Sequence, residues 1–166
     1  MPKLPINVLF VSSTNMARSI LAESCLNRLG NGRFRAFSCG VPGLTLCPIP
    51  DSIFDVLKSA GFATKDLHSK SWNELLRVGA RPMNFVISLD KATIDRHPSW
   101  PSQPVTALWA TPPIFAPNVD VVQLRCVALQ ALYLLQRRLT LLVALPMNGQ
   151  DRLALLSDIR DMAYMT

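Results

Sequence analysis

Short apolar runs alternate along this chain with longer segments in which apolar residues recur every three or four positions. The apolar runs predict β-strands at residues 7–11, 34–38, 84–89 and 105–109. The helical spacing predicts helices at residues 19–29, 51–60, 120–145 and 152–163, with a short one after Ser71. Gly30, Gly61 and Pro146 stand where three of these helices are expected to end. Ser71 and Glu74 have capping-box spacing.

This order of elements predicts an α/β fold with a parallel sheet covered on both faces. A chain of 166 residues suits one domain with a sizeable core. Ligands of such sheets bind at the carboxyl ends of the strands, near a switch in strand order. The polar loop after the first predicted strand lies at such an end, so we expect the functional site there.

Composition excludes several classes of protein. Apolar residues make up 49% of the chain and charged residues 17%, which favours a packed globule over disorder. The net charge of +6 is compatible with anionic ligands, but Lys and Arg are scattered and form no basic run. We therefore expect a generally basic surface and no nucleic-acid binding.

No targeting or membrane segment is expected. The N-terminal stretch MPKLPINVLFV lacks the apolar region and cleavage site of a signal peptide. The most apolar late segment, residues 121–145, is interrupted by Arg125, Gln130, Gln136, Arg137 and Arg138. No uninterrupted apolar run therefore approaches the ~20 residues that a membrane span needs. We expect a cytoplasmic protein that does not bind membranes.

The four cysteines do not suggest a metal site. Cys25, Cys39, Cys47 and Cys126 form no CxxC pair, and no Cys/His cluster has zinc spacing. Cys25 and Cys126 fall within helical patterns and are expected in the core. Cys39 and Cys47 fall eight apart in a predicted loop region, and spacing alone does not establish a redox pair. We expect neither a metal nor a cofactor.

The most informative stretch is VLFVSSTNMARS, Val8 to Ser19. An apolar strand leads through a polar loop into a helix that opens with Arg18 and Ser19. Such a loop can turn backbone N–H groups and the positive end of the helix dipole towards a tetrahedral oxyanion. The predicted oxyanion-binding residues are Ser12, Ser13, Thr14, Asn15, Met16, Ala17, Arg18 and Ser19. The loop spacing alone is equally compatible with a plain turn that has a serine N-cap and a surface arginine.

Ser12 stands where phosphatases with a Cys-x5-Arg loop carry their nucleophilic cysteine. A thiolate forms readily in such a loop, whereas a serine hydroxyl needs an adjacent general base. No base lies near Ser12 in the sequence. Arg18 supplies a planar fork for two oxyanion oxygens. Asn15 tolerates left-handed backbone geometry, and Ser19 is placed to donate a hydrogen bond into the loop.

These motifs resemble the low-molecular-weight protein tyrosine phosphatase superfamily, above all its arsenate reductases. VLFVSSTNMARSILAE is similar to the family opening VLFVCTGNSARSILAE, and FRAFSCG, HSKSW, PMNFVISL, SWPSQPVTALW and VALP follow in family order. The resemblance covers about residues 6–147 of a single domain spanning residues 1–166. It implies a three-layer α/β sandwich with a four-stranded parallel sheet and an anion loop between the first strand and the first helix.

The departures from the family pattern concern its chemistry. Ser12 replaces the nucleophilic cysteine, and Thr14, a β-branched residue, replaces a loop glycine. Residues 89–98 contain no cysteine where the reductases carry resolving thiols. Residues 109–113 lack the general-acid Asp of the family's WGxPDP-like loop.

Other side chains are not expected to rescue catalysis. We expect Asp90 and Asp95 to be solvated loop acids and His97 to lie at the surface or in packing. Trp72 and Trp109 match family positions and are expected to pack rather than to bind substrate.

Three hypotheses follow. The first is a non-catalytic family member that binds phosphate, arsenate, sulfate or a phosphorylated protein through residues 12–18. The second is a working arsenate reductase or phosphotyrosine phosphatase with altered chemistry. The third is an interaction domain with an empty loop. The loss of nucleophile, loop glycine, resolving thiols and general acid favours the first.

Overall fold

The computed structural model describes residues 4–45, 47–147 and 151–165. The strands are β1 (Ile6–Val11), β2 (Phe34–Cys39), β3 (Phe85–Ser88) and β4 (Val105–Leu108). The α-helices are α1 (Arg18–Leu29), α2 (Asp51–Ser59), α3 (Val121–Ala144) and α4 (Arg152–Asp161). Three 3₁₀ helices, at Trp72–Leu75, Lys91–Arg96 and Met162–Tyr164, complete the elements of these ranges.

The four strands form a parallel sheet in the order β2-β1-β3-β4, as the alternation of strands and helices predicted. Val11 lies opposite Cys39 on one side and opposite Ser88 on the other. Ser88 in turn lies opposite Leu108. The carboxyl ends of the strands are therefore level, and the loops that follow them meet at one edge of the sheet.

The sheet is covered on both faces, but by different material. One face packs in a single apolar core against α1, α2, α3 and α4. The other face, around Leu9, Val11 and Val86, packs against Trp72 and Met83 from the irregular chain between α2 and β3. The expected three-layer arrangement is thus present, with all four α-helices on one side.

One local prediction was wrong. The stretch after Ser71 forms only the 3₁₀ helix Trp72–Leu75, and Ser71 makes no side-chain cap, so the predicted capping box is not formed. A further 3₁₀ helix, Lys91–Arg96, lies in a stretch for which no element was predicted, and the Asp90 carboxylate caps it by accepting a hydrogen bond from the N–H of Ala92.

Helix α3 is the one described helix whose length and composition would let it cross a membrane. This is weak evidence, since a core helix passes the same test. Leu132, Leu135, Leu139 and Leu142 are buried against the rest of the molecule. Cys126, on the same helix, is exposed, which corrects the expectation that it belongs to the core.

Helix α4 confirms the predicted late helix and lies against β4 and α3. The indole Nε1 of Trp109 donates to the carbonyl of Ile159 at 2.9 Å. The guanidinium of Arg138 on α3 donates to the carbonyls of Ala163 and Met165. These contacts fix the last described segment to α3 and to Trp109, the residue that follows β4.

Candidate oxyanion-binding site

The loop of residues 12–17 leaves β1 at the carboxyl edge of the sheet and leads into α1. Its carbonyl oxygens are used by neighbouring segments. The carbonyl of Ser13 accepts from the N–H of Val41 at 3.0 Å, and that of Thr14 accepts from the Ser69 hydroxyl at 3.1 Å. The carbonyls therefore face the surrounding protein.

The backbone N–H groups of the same loop have no such partners. In the part of the chain that the structure describes, no N–H of residues 13–18 donates to a protein acceptor. All six of these residues are buried or half-buried. Since N–H groups removed from water are nearly always paired, a run of such donors without a protein acceptor is typical of an anion-binding loop.

Asn15 gives the loop its sharp bend. Its φ is 53°, the left-handed region predicted for this residue. Thr14 is not among the positive-φ residues, so the concern that a β-branched side chain would disturb the loop does not hold at that position. The loop's special backbone geometry falls on Asn15 instead.

The amide of Asn15 also orients the hydroxyl groups at the base of the loop. Its Oδ1 accepts from the backbone N–H of Lys70 at 2.9 Å. Because a backbone N–H can only donate, the other end of the amide must be Nδ2, which lies 2.7 Å from Ser19 Oγ. Ser19 therefore accepts a hydrogen bond from Asn15.

A second hydroxyl lies next to that of Ser19. Ser12 Oγ is 2.6 Å from Ser19 Oγ, and both residues are buried. Among the described residues, Ser19 Oγ contacts only this hydroxyl and the Asn15 donor. The two hydroxyls share one hydrogen bond, in which either can donate, so one hydrogen of the pair remains available to a ligand.

A buried charged cluster supports the loop from below. Lys70 Nζ lies 3.8 Å from Glu23 Oε1, and the Ser38 hydroxyl donates to Glu23 Oε2 at 3.2 Å. Burial raises the pKa of Glu23, while the positive charge of Lys70 and the Ser38 hydrogen bond oppose that shift. The backbone of Lys70 holds Asn15, so this cluster, with Asn15 and Ser19, forms the frame of the loop.

Gly40 lets the turn after β2 approach the loop closely. A Cβ at this position would lie 2.9 Å from the carbonyl oxygen of Ser13 and 3.1 Å from the backbone nitrogen of Asn15. Gly40 is not among the glycines with positive φ, so its backbone conformation does not require a glycine. The lack of room for a Cβ beside the loop does.

Arg18 extends from the end of the loop towards the carboxyl ends of β3 and β4. Its Nη1 donates to the carbonyls of Thr111 at 2.9 Å and Leu89 at 3.3 Å, and its Nη2 donates to Asp90 Oδ2 at 2.9 Å. A guanidinium has five N–H donors. Within the described residues, Nε–H and one Nη2–H of Arg18 therefore remain open to a ligand.

Asp90 is not the solvated loop acid that was expected. Its Oδ2 accepts from both the Ser13 hydroxyl and Arg18, and its Oδ1 accepts from the N–H of Ala92. Burial alone would raise the pKa of Asp90, but the hydrogen bond from Ser13 and the charge of Arg18 lower it below its usual value. The group is a carboxylate at neutral pH and has no proton to give. Asp95 is exposed, as predicted.

His97 has the packing role that was expected. Its ring contacts the rings of Trp72 and Trp100 edge to face. The Trp100 indole donates to Nδ1, so Nε2 carries the hydrogen and faces Ser88 Oγ at 2.8 Å. Burial lowers the pKa of His97, and the neutral ring donates to Ser88 rather than taking a proton from it.

Trp72 and Trp109 are buried, which confirms that both pack. Thr111, in the segment after β4, is buried and offers only its carbonyl to Arg18. No carboxyl group is supplied by residues 109–113.

The cysteines are free thiols in the structure. Burial raises the pKa of Cys25 to about 12 and raises that of Cys39 above its ordinary value. Cys39 ends β2 and is buried, rather than lying in a loop, and Cys47 is exposed. Residues 4–45, 47–147 and 151–165 contain no group of three or more His, Cys, Asp or Glu side chains suited to a metal ion.

A four-stranded parallel sheet in the order β2-β1-β3-β4, with a run of N–H groups unpaired within the described ranges between the first strand and the first helix, defines the architecture of the molecule. The sequence profile of the low molecular weight phosphotyrosine protein phosphatase family matches residues 7–107, more than half of the chain. The chain therefore belongs to this family. No curated protein matches it in sequence.

Solved structures share the fold of this chain. YfkJ from Bacillus subtilis is 16% identical with a TM-score of 0.63, covering 90% of this chain and 100% of that one. An arsenate reductase in the phosphate binding state is 23% identical with a TM-score of 0.63, covering 84% and 97% of the two chains. The tyrosine phosphatase Wzb from Escherichia coli K30, in complex with sulphate, is 15% identical with a TM-score of 0.61, covering 82% and 97%.

Proposed function

We propose that this protein is a non-catalytic family member that binds a tetrahedral oxyanion of the phosphate, arsenate or sulfate type in the loop of residues 12–18. The observation that carries the proposal is the run of backbone N–H groups in residues 13–18 that have no acceptor among the described residues. A bound oxyanion would satisfy these donors and would lie at the positive end of α1. The solved structures with phosphate and sulphate support the same ligand chemistry.

The charges at the site favour binding over turnover. In the family pattern a thiolate contributes a negative charge to the cradle, whereas Ser12 is neutral. The hydroxyls of Ser12 and Ser19 share one hydrogen bond, and Ser19 also accepts from Asn15, so one hydroxyl hydrogen of the pair is available to the ligand. An oxyanion therefore gains a donor and loses a repelling charge.

Catalysis would need a base for Ser12 and an acid for the leaving group. The groups around the Ser12 hydroxyl are Ser19 and, one bond further, the Asn15 amide, and neither accepts a proton at neutral pH. The carboxylate of Asp90 is ionised and bound by Ser13 and Arg18. These features support a binding function in place of reduction or hydrolysis.

The ligand in the cell would be a free oxyanion or a phosphorylated protein, since a phosphate monoester presents the same oxygens to the loop. We also propose a cytoplasmic location. Nucleic acid and membrane are not part of the proposal.

Titration calorimetry with inorganic phosphate and arsenate tests the proposal. We expect saturable binding, and we expect Arg18→Ala to weaken it at least about tenfold, because a hydrogen bond to a charged group contributes about 1.5–3 kcal/mol. Arg96→Ala is the matched control, since Arg96 is exposed at the 3₁₀ helix beyond Asp90. Equal affinities of the two variants would contradict the proposal.

The other two hypotheses give different results in the same set of experiments. A working enzyme would hydrolyse an aryl phosphate or reduce arsenate in the presence of thiols, and would lose that activity with Arg18→Ala. An interaction domain with an empty loop would bind neither anion in the calorimeter. For such an interaction domain, a structure determined in the presence of phosphate would show no ion at the loop amides.

A further inference from the structure

The Asp90 carboxylate connects the two ends of the anion loop. It accepts a hydrogen bond from Ser13, near the start of the loop, and from Arg18, at its end. Its side chain is 18% exposed, so only a small part of it reaches solvent. An oxyanion held by the loop amides and the open N–H groups of Arg18 would lie beside this carboxylate.

The hydrogen bonds of Asp90 leave it one acceptor position. A carboxylate has about four lone-pair sites. Ser13, Arg18 and the N–H of Ala92 use three of them, two on Oδ2 and one on Oδ1. The remaining site on Oδ1 can accept one more hydrogen bond. Because Asp90 is ionised, it cannot donate one.

We propose that Asp90 is a specificity-determining residue that selects oxyanions carrying a proton, namely phosphate and arsenate, over the fully ionised sulfate. This inference rests on the proposed binding function and names its ligand class. The O–H of a hydrogen phosphate or hydrogen arsenate donates to Asp90 Oδ1. Sulfate has no hydrogen at neutral pH, so one of its oxygens faces the carboxylate across the same gap.

The physical basis is the cost of an unmatched contact. When a bound anion lies against a carboxylate and no hydrogen lies between them, the two negative charges repel each other. This repulsion is large where solvent is excluded. Arg18 does not compensate for this, because its positive charge is already paired with Asp90 at 2.9 Å. The Arg18–Asp90 pair therefore distinguishes the two kinds of anion by whether they carry a hydrogen, and it adds no net charge to the site.

Calorimetric titration of phosphate and sulfate at pH 7 into the wild-type protein, Asp90→Asn and Asp95→Asn tests this inference. We expect the wild type to bind phosphate at least about tenfold more tightly than sulfate, a difference of about 1.4 kcal/mol. Asp90→Asn supplies an amide donor to sulfate and should bring the two affinities within about threefold. Asp95→Asn removes the same charge from an exposed side chain and should keep the wild-type ratio.

Equal affinities for phosphate and sulfate in the wild type would overturn the selection by Asp90 while leaving the binding function intact. The selection would also be overturned if Asp90→Asn increased the affinities for phosphate and sulfate by the same factor. Asp90 would then act as a simple repelling charge. Absence of binding of either anion to the wild type would instead overturn the binding function itself. Asp90→Ser, which keeps a capping oxygen for Ala92, repeats the test if the Asn variant does not fold.

Discussion

The frame beneath the loop and the rim above it are built in opposite ways. The frame, formed by Asn15, Ser19, Glu23, Ser38 and Lys70, is buried, and its polar groups bond to one another. The rim, where Arg18 meets Asp90 and the ends of β3 and β4, is partly exposed and keeps donors open to a ligand. The comparison shows that the residues that hold the loop in shape differ from those that line its opening.

This division agrees with where the chain departs from the family pattern. The sequences that resemble the family, ARSILAE, FSCG and HSKSW, supply the frame. The departures fall on Ser12 and on the segments after β3 and β4, which form the cradle and the rim. We therefore propose that this chain keeps the frame of the loop and has lost the family's catalytic chemistry.

The largest effect is expected from breaking the ion pair of the frame. Lys70→Met leaves the buried Glu23 without its cation, and removal of one partner of a buried pair costs about 3–5 kcal/mol. We expect urea unfolding to show a loss of about 3 kcal/mol, with loss of anion binding. Lys65→Met, at an exposed lysine, should change stability by less than about 0.5 kcal/mol.

The decrease in the free energy of unfolding caused by Lys70→Met should also depend on pH. Burial already raises the pKa of Glu23 in the folded state, so ionisation of this group costs stability as the pH rises through that pKa. Without Lys70 the pKa rises further, and the variant should be closest to the wild type at about pH 5 and furthest from it at about pH 8. A pH-independent difference would show that Glu23 and Lys70 are not coupled.

A smaller effect is expected where the frame approaches the loop at Gly40. Gly40→Ala places a Cβ against the backbone of Ser13 and Asn15 and should cost about 1–3 kcal/mol while weakening anion binding. The same Cβ would also lie 2.5 Å from Thr45 Cγ2, a side-chain atom that can move. If adding Thr45→Ser restored wild-type stability and binding, the clash with the loop backbone would be excluded as the cause.

The smallest effect is expected from restoring a thiol. Ser12→Cys should leave hydrolysis of p-nitrophenyl phosphate and thiol-dependent arsenate reduction at background, because no protonated acid faces the site from Asp90 or from residues 109–113. The variant should stay folded, with an unchanged melting temperature by circular dichroism. Turnover well above background, abolished by Arg18→Ala, would show that the rim retains chemistry and would contradict the division between frame and rim.

The sheet was predictable from sequence because β1 and β3 are continuous apolar runs and parallel strands are buried on both faces. The left-handed Asn15 was predictable from its side chain. The contacts of Asp90 were not, since Ser13 and Asp90 are 77 residues apart and meet only when β1 and β3 pair. The exposure of Cys126 was missed because a helical pattern does not say which face of α3 meets the core.

The bond between Trp109 and Ile159 has a consequence beyond the packing of one indole ring. β4 is one of the two edge strands of the sheet, and β2 is the other. Helix α4, which lies outside the segment that resembles the family, packs against β4, and the bond joins it to the residue that follows this strand. A chain that ended after α3 would lose this packing and would leave the indole N–H of the buried Trp109 without its acceptor.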